Sequence, residues 1–168
     1  MKANNLQEVK AGLAPNLARL WRYGVVLSGS RDTADDLVQA TCLRAIERAD
    51  QFQLGTHLDR WLFSILRSIW LNELRSRRVR EGRGFVDASE ALVFDGGRET
   101  ETNIFAAQVL REVGKLPEAQ RETVLLVYVE ALSYREAADI LAVPIGTVMS
   151  RLAAARLTLG RLQAARDP

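Results

Sequence analysis

The chain has 168 residues, 48% of them hydrophobic and 26% charged, with a formal net charge of +2. That length suits one or two small globular domains, and the near-neutral sum excludes a protein that merely coats polyanions, although its charges are unevenly spread. A single cysteine, Cys42, excludes an internal disulfide framework. The opening MKANNLQEVK lacks the apolar core of a signal peptide, and no apolar run approaches the roughly 18 residues of a membrane span, so a cytoplasmic protein without membrane insertion is expected.

Residues 6–27 repeat apolar positions at helical spacing, with Leu6, Val9, Leu13, Leu17, Leu20 and Trp21 inward, and read as one or two helices. Ser28-Gly29-Ser30 breaks the pattern. Asp32 or Thr33 then caps a helix whose first turn holds Asp35 and Asp36, where the helix dipole favours carboxylates. Its inward face is Ala34, Leu37, Val38, Thr41, Cys42, Ala45 and Ile46, which makes Cys42 a buried, inert thiol, and it ends near Ala49. Residues 51–58, QFQLGTHL, form a loop centred on Gly55. Asp59 caps the next helix, 60–78, with Leu62, Ile65, Leu66, Ile69 and Leu74 inward. Trp61, Phe63 and Trp70 cannot all share that stripe, so at least one aromatic stands partly exposed beside Arg60, Arg67 and Arg75. The helix runs out in a basic cluster, Arg75, Arg77, Arg78, Arg80 and Arg83. Aromatics interleaved with arginines before a loop suit single-stranded DNA.

Residues 82–102 change character, with Gly82, Gly84, Gly96 and Gly97 among Asp87, Glu90, Asp95, Glu99 and Glu101, and read as an acidic linker. A helix then runs from Ile104 through Val113, Lys115-Leu116-Pro117 interrupts it, and an apolar helix spans 120–131. Residues 132–157 read as two helices joined by a tight turn: the first over 134–141, the turn at Ala142 and Val143, and the second opened by Pro144, whose fixed φ begins a helix but cannot continue one. Val148, Leu152, Ala155 and Leu159 face inward, and Thr147, Ser150, Arg151 and Ala154 lie opposite. Ala138 is small where the helices cross. A short polar face carrying one fork-shaped cation fits the recognition helix of a helix-turn-helix, in which Arg151 can pair with a guanine edge. Ala142 stands where such turns often hold glycine and must accept a strained backbone. The tail from Gly160 is basic and expected to fray.

The expected fold class is all-α: two small helical domains, 1–82 and 104–168, joined by a flexible linker, 83–103. One histidine, one cysteine, no metal-ligand spacing, no glycine-rich phosphate loop and no convergent carboxylate pair argue against an enzyme, a metal or a cofactor.

These blocks resemble the extracytoplasmic-function (ECF) group of bacterial RNA polymerase sigma factors over nearly the whole chain. LSGSRDTADDLVQATCLRA followed by WLFSILRSIWLNELRSRR is similar to the σ2 domain, and LPEAQRETVLLVYVEALSYREAADILAVPIGTVMSRLAAAR to the helix-turn-helix σ4 domain. The resemblance implies that Asp35, Asp36, Leu37 and Gln39 dock on the clamp helices of the polymerase's largest subunit, an acidic face meeting a basic partner. It implies that the loop 52–59 and the helix after it open the −10 promoter region and capture a flipped base, with Trp61, Arg67, Ser68, Asn72, Arg75 and Arg78 as DNA-binding residues. It implies that Thr147, Ser150 and Arg151 read the −35 box while Arg156 meets phosphate. The expected partners are the polymerase core (clamp helices and flap), promoter DNA and an anti-sigma factor.

The sequence departs from the family's habit in places. Ser68 stands where asparagine is common, which bears on which −10 base is read, and Met149 and Ala154 stand where basic residues are common, which implies weaker −35 affinity and a smaller salt dependence. His57, the only histidine, reads as a surface loop residue. The rival reading is a helix-turn-helix regulator that binds duplex DNA without polymerase; such a protein would lack the DDLVQ helix and the tryptophan-rich basic helix.

Overall fold

The computed structural model describes residues 2–81 and 111–164, and every element among them is helical. The chain divides into two compact units, Met1–Val86 and Asp87–Pro168. The expected linker 83–103 and the start of the helix expected from Ile104 lie outside the described residues.

The first unit is a three-helix body. A single helix, α1 (Lys2–Ser28), spans the stretch read as one or two helices. Pro15 lies inside it but faces solvent, so water can meet the Ala11 carbonyl that the proline leaves without a donor. Val9, Leu20 and Tyr23 are buried, whereas Leu17, expected inward, is 41% exposed. Gly29, at φ 70°, donates back to the Val25 carbonyl and ends the helix. Ser30, not Asp32 or Thr33, caps α2 (Arg31–Glu47): its hydroxyl accepts from the Thr33 N–H at 3.2 Å. Asp32 is free for the first turn, where the dipole favours it. Gly24 lets α1 and α2 approach, since a Cβ there would sit 3.1 Å from Ala34 Cα.

Ala34, Leu37, Thr41 and Ala45 form the buried stripe of α2. Val38, Cys42 and Ile46 are only half-buried, so Cys42 is not the fully enclosed thiol expected. Its partial burial still raises the thiol pKa and keeps it protonated. A 3₁₀ turn, Ala49–Gln51, and a loop at 52–57 lead into α3 (Leu58–Arg80). The cap of α3 is His57, through its backbone alone, so Asp59 is not the cap but a first-turn carboxylate. Leu62, Phe63, Leu66 and Trp70 are the buried face. Ile65, Ile69 and Leu74 are half-buried at its edges, and Trp61 is the aromatic left partly exposed. The Tyr23 and Phe63 rings meet edge to face at 5.4 Å in the middle of this core.

In the second unit, residues 111–114 are helical and Pro117 caps α4 (Glu118–Val124). The apolar run expected as a plain helix instead changes pitch: Leu125–Val129 is π-helical, with Glu130 donating back to the Leu125 carbonyl. The wider turn leaves Tyr128 and Val129 about half exposed while Leu125 and Leu126 stay buried. Arg121, buried, donates to the Gly114 carbonyl at 3.1 Å and ties α4 to the preceding helical end. Burial lowers its pKa, with the Glu118 carboxylate acting the other way.

The last two helices are α5 (Tyr134–Leu141) and α6 (Ile145–Ala164). Ser133 and Glu136 close a reciprocal capping box at the start of α5. Leu141 is followed by Ala142 at φ 53°, ψ 46°, the left-handed cap that the turn demands. The helical assignment of α6 runs to Ala164, and the end of the tail expected to fray lies outside the described residues.

Candidate nucleic-acid interface

The axes of α5 and α6 turn through 104° across the break at 142–144, within the range of a helix-turn-helix. Ala138, Leu141, Val148, Leu152 and Ala155 are buried in the angle between them, and Leu159, expected inward, is half-buried. The opposite face of α6 carries Thr147, half-buried, and Ser150, exposed. The Ser150 hydroxyl donates to the Thr147 carbonyl at 3.0 Å, which fixes its rotamer and leaves its oxygen as an acceptor. Arg151 is half-buried, and its Nη1 is shielded from solvent without a hydrogen-bond acceptor among the described residues. A buried donor left so costs about 1–3 kcal/mol, which an outside acceptor would restore. Arg156 is exposed and donates through Nη1 to the Tyr128 hydroxyl at 2.9 Å. Tyr128 therefore joins this cationic edge, brought there by the π turn, and nothing in the spacing of LLVYV announces it.

On α3, Trp61, Ser68, Asn72 and Arg75 fall within about 60° of one another around the helix axis, opposite the buried stripe. Ser68, Asn72 and Arg75 are exposed. Trp61 leans on Phe52 at 5.3 Å with the rings tilted 42°, so an edge of the loop supports the tryptophan. Arg67, half-buried, and Arg78, exposed, lie on the adjacent flank. Asn72 Oδ1 accepts from Arg75 Nη1 at 3.3 Å. Glu73 bonds Arg77 at 3.0 Å and Arg80 at 3.3 Å, so part of the basic cluster is neutralised internally.

On α2, Asp35, Asp36 and Gln39 are exposed on one face, and Leu43, 60% exposed, continues it. Leu37 is 4% exposed and belongs to the core beneath that face, so it cannot itself meet a partner. Trp21 Nε1 donates to Asp35 Oδ1 at 2.9 Å. Trp21, expected inward, is thus half-buried with its polar edge on this surface. His57 is exposed in its loop. Among the described residues no group of three His, Cys, Asp or Glu side chains could hold a metal ion, and no single helix is long and apolar enough to cross a membrane.

Two family models match the chain: sigma-70 region 2 over residues 13–80 and sigma-70 region 4 over residues 106–159. The ECF RNA polymerase sigma factor EcfG of Rhodopseudomonas palustris (strain TIE-1) is 39% identical over 140 residues, 83% of this chain and 76% of that relative. This chain belongs to the ECF RNA polymerase sigma factors. The ECF sigma factor SigC of Mycobacterium tuberculosis (strain CDC 1551 / Oshkosh) is 34% identical over 137 residues, 82% of this chain and 73% of that protein. Among solved structures, the sigma factor RpoE in complex with the anti-sigma factor NepR from Bartonella quintana superposes with a TM-score of 0.76 at 31% identity, covering 96% of this chain and 99% of that one. For an ECF sigma factor, the exposed faces of α2, α3 and α6 are the surfaces to explain.

Proposed function

We propose that this sigma factor, acting in the cytoplasm and without catalysis of its own, holds the polymerase core through α2 and reads two promoter boxes through α3 and α6. The reading takes residues 1–82 and 104–168 as the two working domains and 83–103 as their linker. Asp35, Asp36 and Gln39 form the core-binding face, an acidic surface for a basic helical partner, with Leu43 extending it. Trp61, Arg67, Ser68, Asn72, Arg75 and Arg78 take the separated −10 strand by stacking and charge. Thr147, Ser150 and Arg151 enter the −35 major groove while Arg156 meets phosphate.

The observation that carries this reading is the 104° turn between α5 and α6 with a short polar face outward. A helix set at that angle leaves Ser150 exposed and Thr147 and Arg151 half-buried at the unit's surface. Each domain alone holds few contacts, so tight promoter binding requires both on one core, where each raises the effective concentration of the other. The Bartonella relative was solved with an anti-sigma factor, and a comparable inhibitor covering the same surfaces until a stress signal arrives accounts for control of this chain.

In vitro transcription with bacterial core enzyme on a randomised promoter library tests the proposal. Core-dependent enrichment of two spaced boxes is expected. A gel shift in which the protein alone binds duplex sites, with core adding nothing, would instead identify a polymerase-independent helix-turn-helix regulator.

A further inference from the structure

The start of α1 lies against the loop that leads into α3, and residues 2–12 precede the region matched by the sigma-70 region 2 model. Asn5 Nδ2 donates to the Phe52 carbonyl at 2.7 Å, across 47 residues of chain. Gly12 packs on the first residue of α3 so closely that a Cβ would overlap Leu58 Cδ2. Two turns further, Arg19 Nη1 reaches Asp59 at 3.1 Å and Asn16 Oδ1 at 3.2 Å, with its guanidinium 5.2 Å from the Phe63 ring centroid. Three attachments from one helix thus bracket the loop: at its entry (Phe52), at the helix start (Leu58) and in the first turn (Asp59). Between them the loop has little structure of its own. Thr56 Oγ1 donates to the Gln53 carbonyl at 2.6 Å, Gly55 sits at φ 78°, and His57 caps α3 without a side-chain bond. Phe52, held by Asn5, is also the ring on which Trp61 leans.

We infer that Asn5 and Arg19 are positioning residues for strand capture: α1 fixes the loop 52–57 and the start of α3 so that Trp61 meets the opened −10 strand in a set orientation. The inference rests on the reading of α3 given above. Neither residue needs to touch DNA. A loop otherwise unrestrained would have to be ordered by the strand itself, and that cost would be taken from binding. Asp59, in the first turn of α3, contributes as the anchor for Arg19.

The test uses holoenzyme reconstituted from the full chain and bacterial core, with a promoter selected from a randomised library. Two probes are compared: a fork-junction probe presenting the −10 non-template strand single-stranded, and a duplex fragment bearing only the −35 box. Arg19→Met keeps the apolar stem and removes the charge; Asn5→Asp keeps the shape and removes the donor. Each is expected to weaken binding of the fork probe at least about three- to tenfold: Arg19→Met removes two hydrogen bonds, and Asn5→Asp removes one and sets a carboxylate against the Phe52 carbonyl. Binding of the −35 duplex and of core should change less than about twofold, and Arg19→Lys should recover part of the loss. An unchanged fork-probe affinity, or an equal loss on both probes, overturns the inference, the latter because it marks a general folding defect. Trp61→Ala separates the two levels. If it leaves fork-probe binding intact, the reading of α3 falls; if it weakens binding while Arg19→Met and Asn5→Asp do not, only the inference falls.

Discussion

Trp21 Nε1 and the Asp35 carboxylate, 2.9 Å apart, join α1 to the exposed face of α2. The bond restrains a surface carboxylate whose partner is expected to come from outside. Trp21→Phe keeps most of the buried ring and frees Asp35 to rotate. It should weaken core binding about two- to tenfold and leave binding of −35 duplex by the pre-formed holoenzyme unchanged. Fluorescence anisotropy of labelled protein titrated with core measures this, and unchanged affinity would show that the orientation of Asp35 does not matter.

Ala142 tests the turn of the helix-turn-helix. An L-residue held at φ 53° costs about 1–2 kcal/mol, and glycine in the unfolded chain costs about 0.5–1 kcal/mol more than alanine. Ala142→Gly should therefore stabilise the second unit by about 0.5–1 kcal/mol, whereas Ala142→Val should destabilise it. Hydrogen exchange of the α5 and α6 amides reads the difference directly. A loss of protection in Ala142→Gly would mean that the alanine methyl makes a contact worth more than the strain.

Glu73 pairs with two arginines of the α3 basic cluster, Arg77 and Arg80. The hydrogen bond from Arg77 and the charges of Arg77 and Arg80 hold its carboxyl below the usual carboxylate range. A depressed folded-state pKa means that its contribution is present above the unfolded value and fades as pH falls through the folded one. Acid should therefore loosen the last turns of α3 only after ordinary carboxylates have protonated, seen as loss of the Arg77 contact when Glu73 is titrated by carboxyl NMR. Glu73→Gln removes that pH dependence and releases two cations. The slope of log affinity against log salt should steepen by roughly 0.7–0.9 for each phosphate newly met. An unaltered slope would place Arg77 and Arg80 away from the DNA path.

What the sequence could foretell here follows from how local each signal is. The bounds of α5 and the start of α6 were legible because Pro144 and the helical repeat of Ala138, Val148 and Leu152 are local. The caps were not. Asp59 has the chemistry of a cap but stands inside the helix that His57 caps, bonded to Arg19, 40 residues away, and Ser30 takes the cap expected of Asp32 or Thr33. The π turn was hidden because an apolar run such as LLVYV buries equally well at either pitch, and only the resulting exposure of Tyr128 and its bond to Arg156 reveal the difference. Among the candidate site residues, Ser150 stands exposed on the outward face that periodicity assigned, and the polar α2 residues and the α3 residues that the resemblance implied are exposed or half-buried. Leu37 is buried, as periodicity expected, and so lies beneath the surface with which the resemblance grouped it.

Arg151 offers the sharpest separation of stability from recognition. Its Nη1 is shielded and lacks an acceptor among the described residues; on the proposed reading, the side chain turns outward to meet a guanine edge that supplies the acceptors. Arg151→Met keeps the stem and removes the unmet donors, so the free protein should lose no stability and could gain up to about 1 kcal/mol. In holoenzyme the same change should cost about 1–3 kcal/mol of discrimination at one −35 base pair, with selectivity at neighbouring positions retained. Thermal melting of the free protein and promoter-library selection with holoenzyme read the two effects independently. An equal loss on every promoter sequence would make Arg151 a phosphate contact, and a destabilised free protein would mean that its guanidinium is held by contacts within the fold.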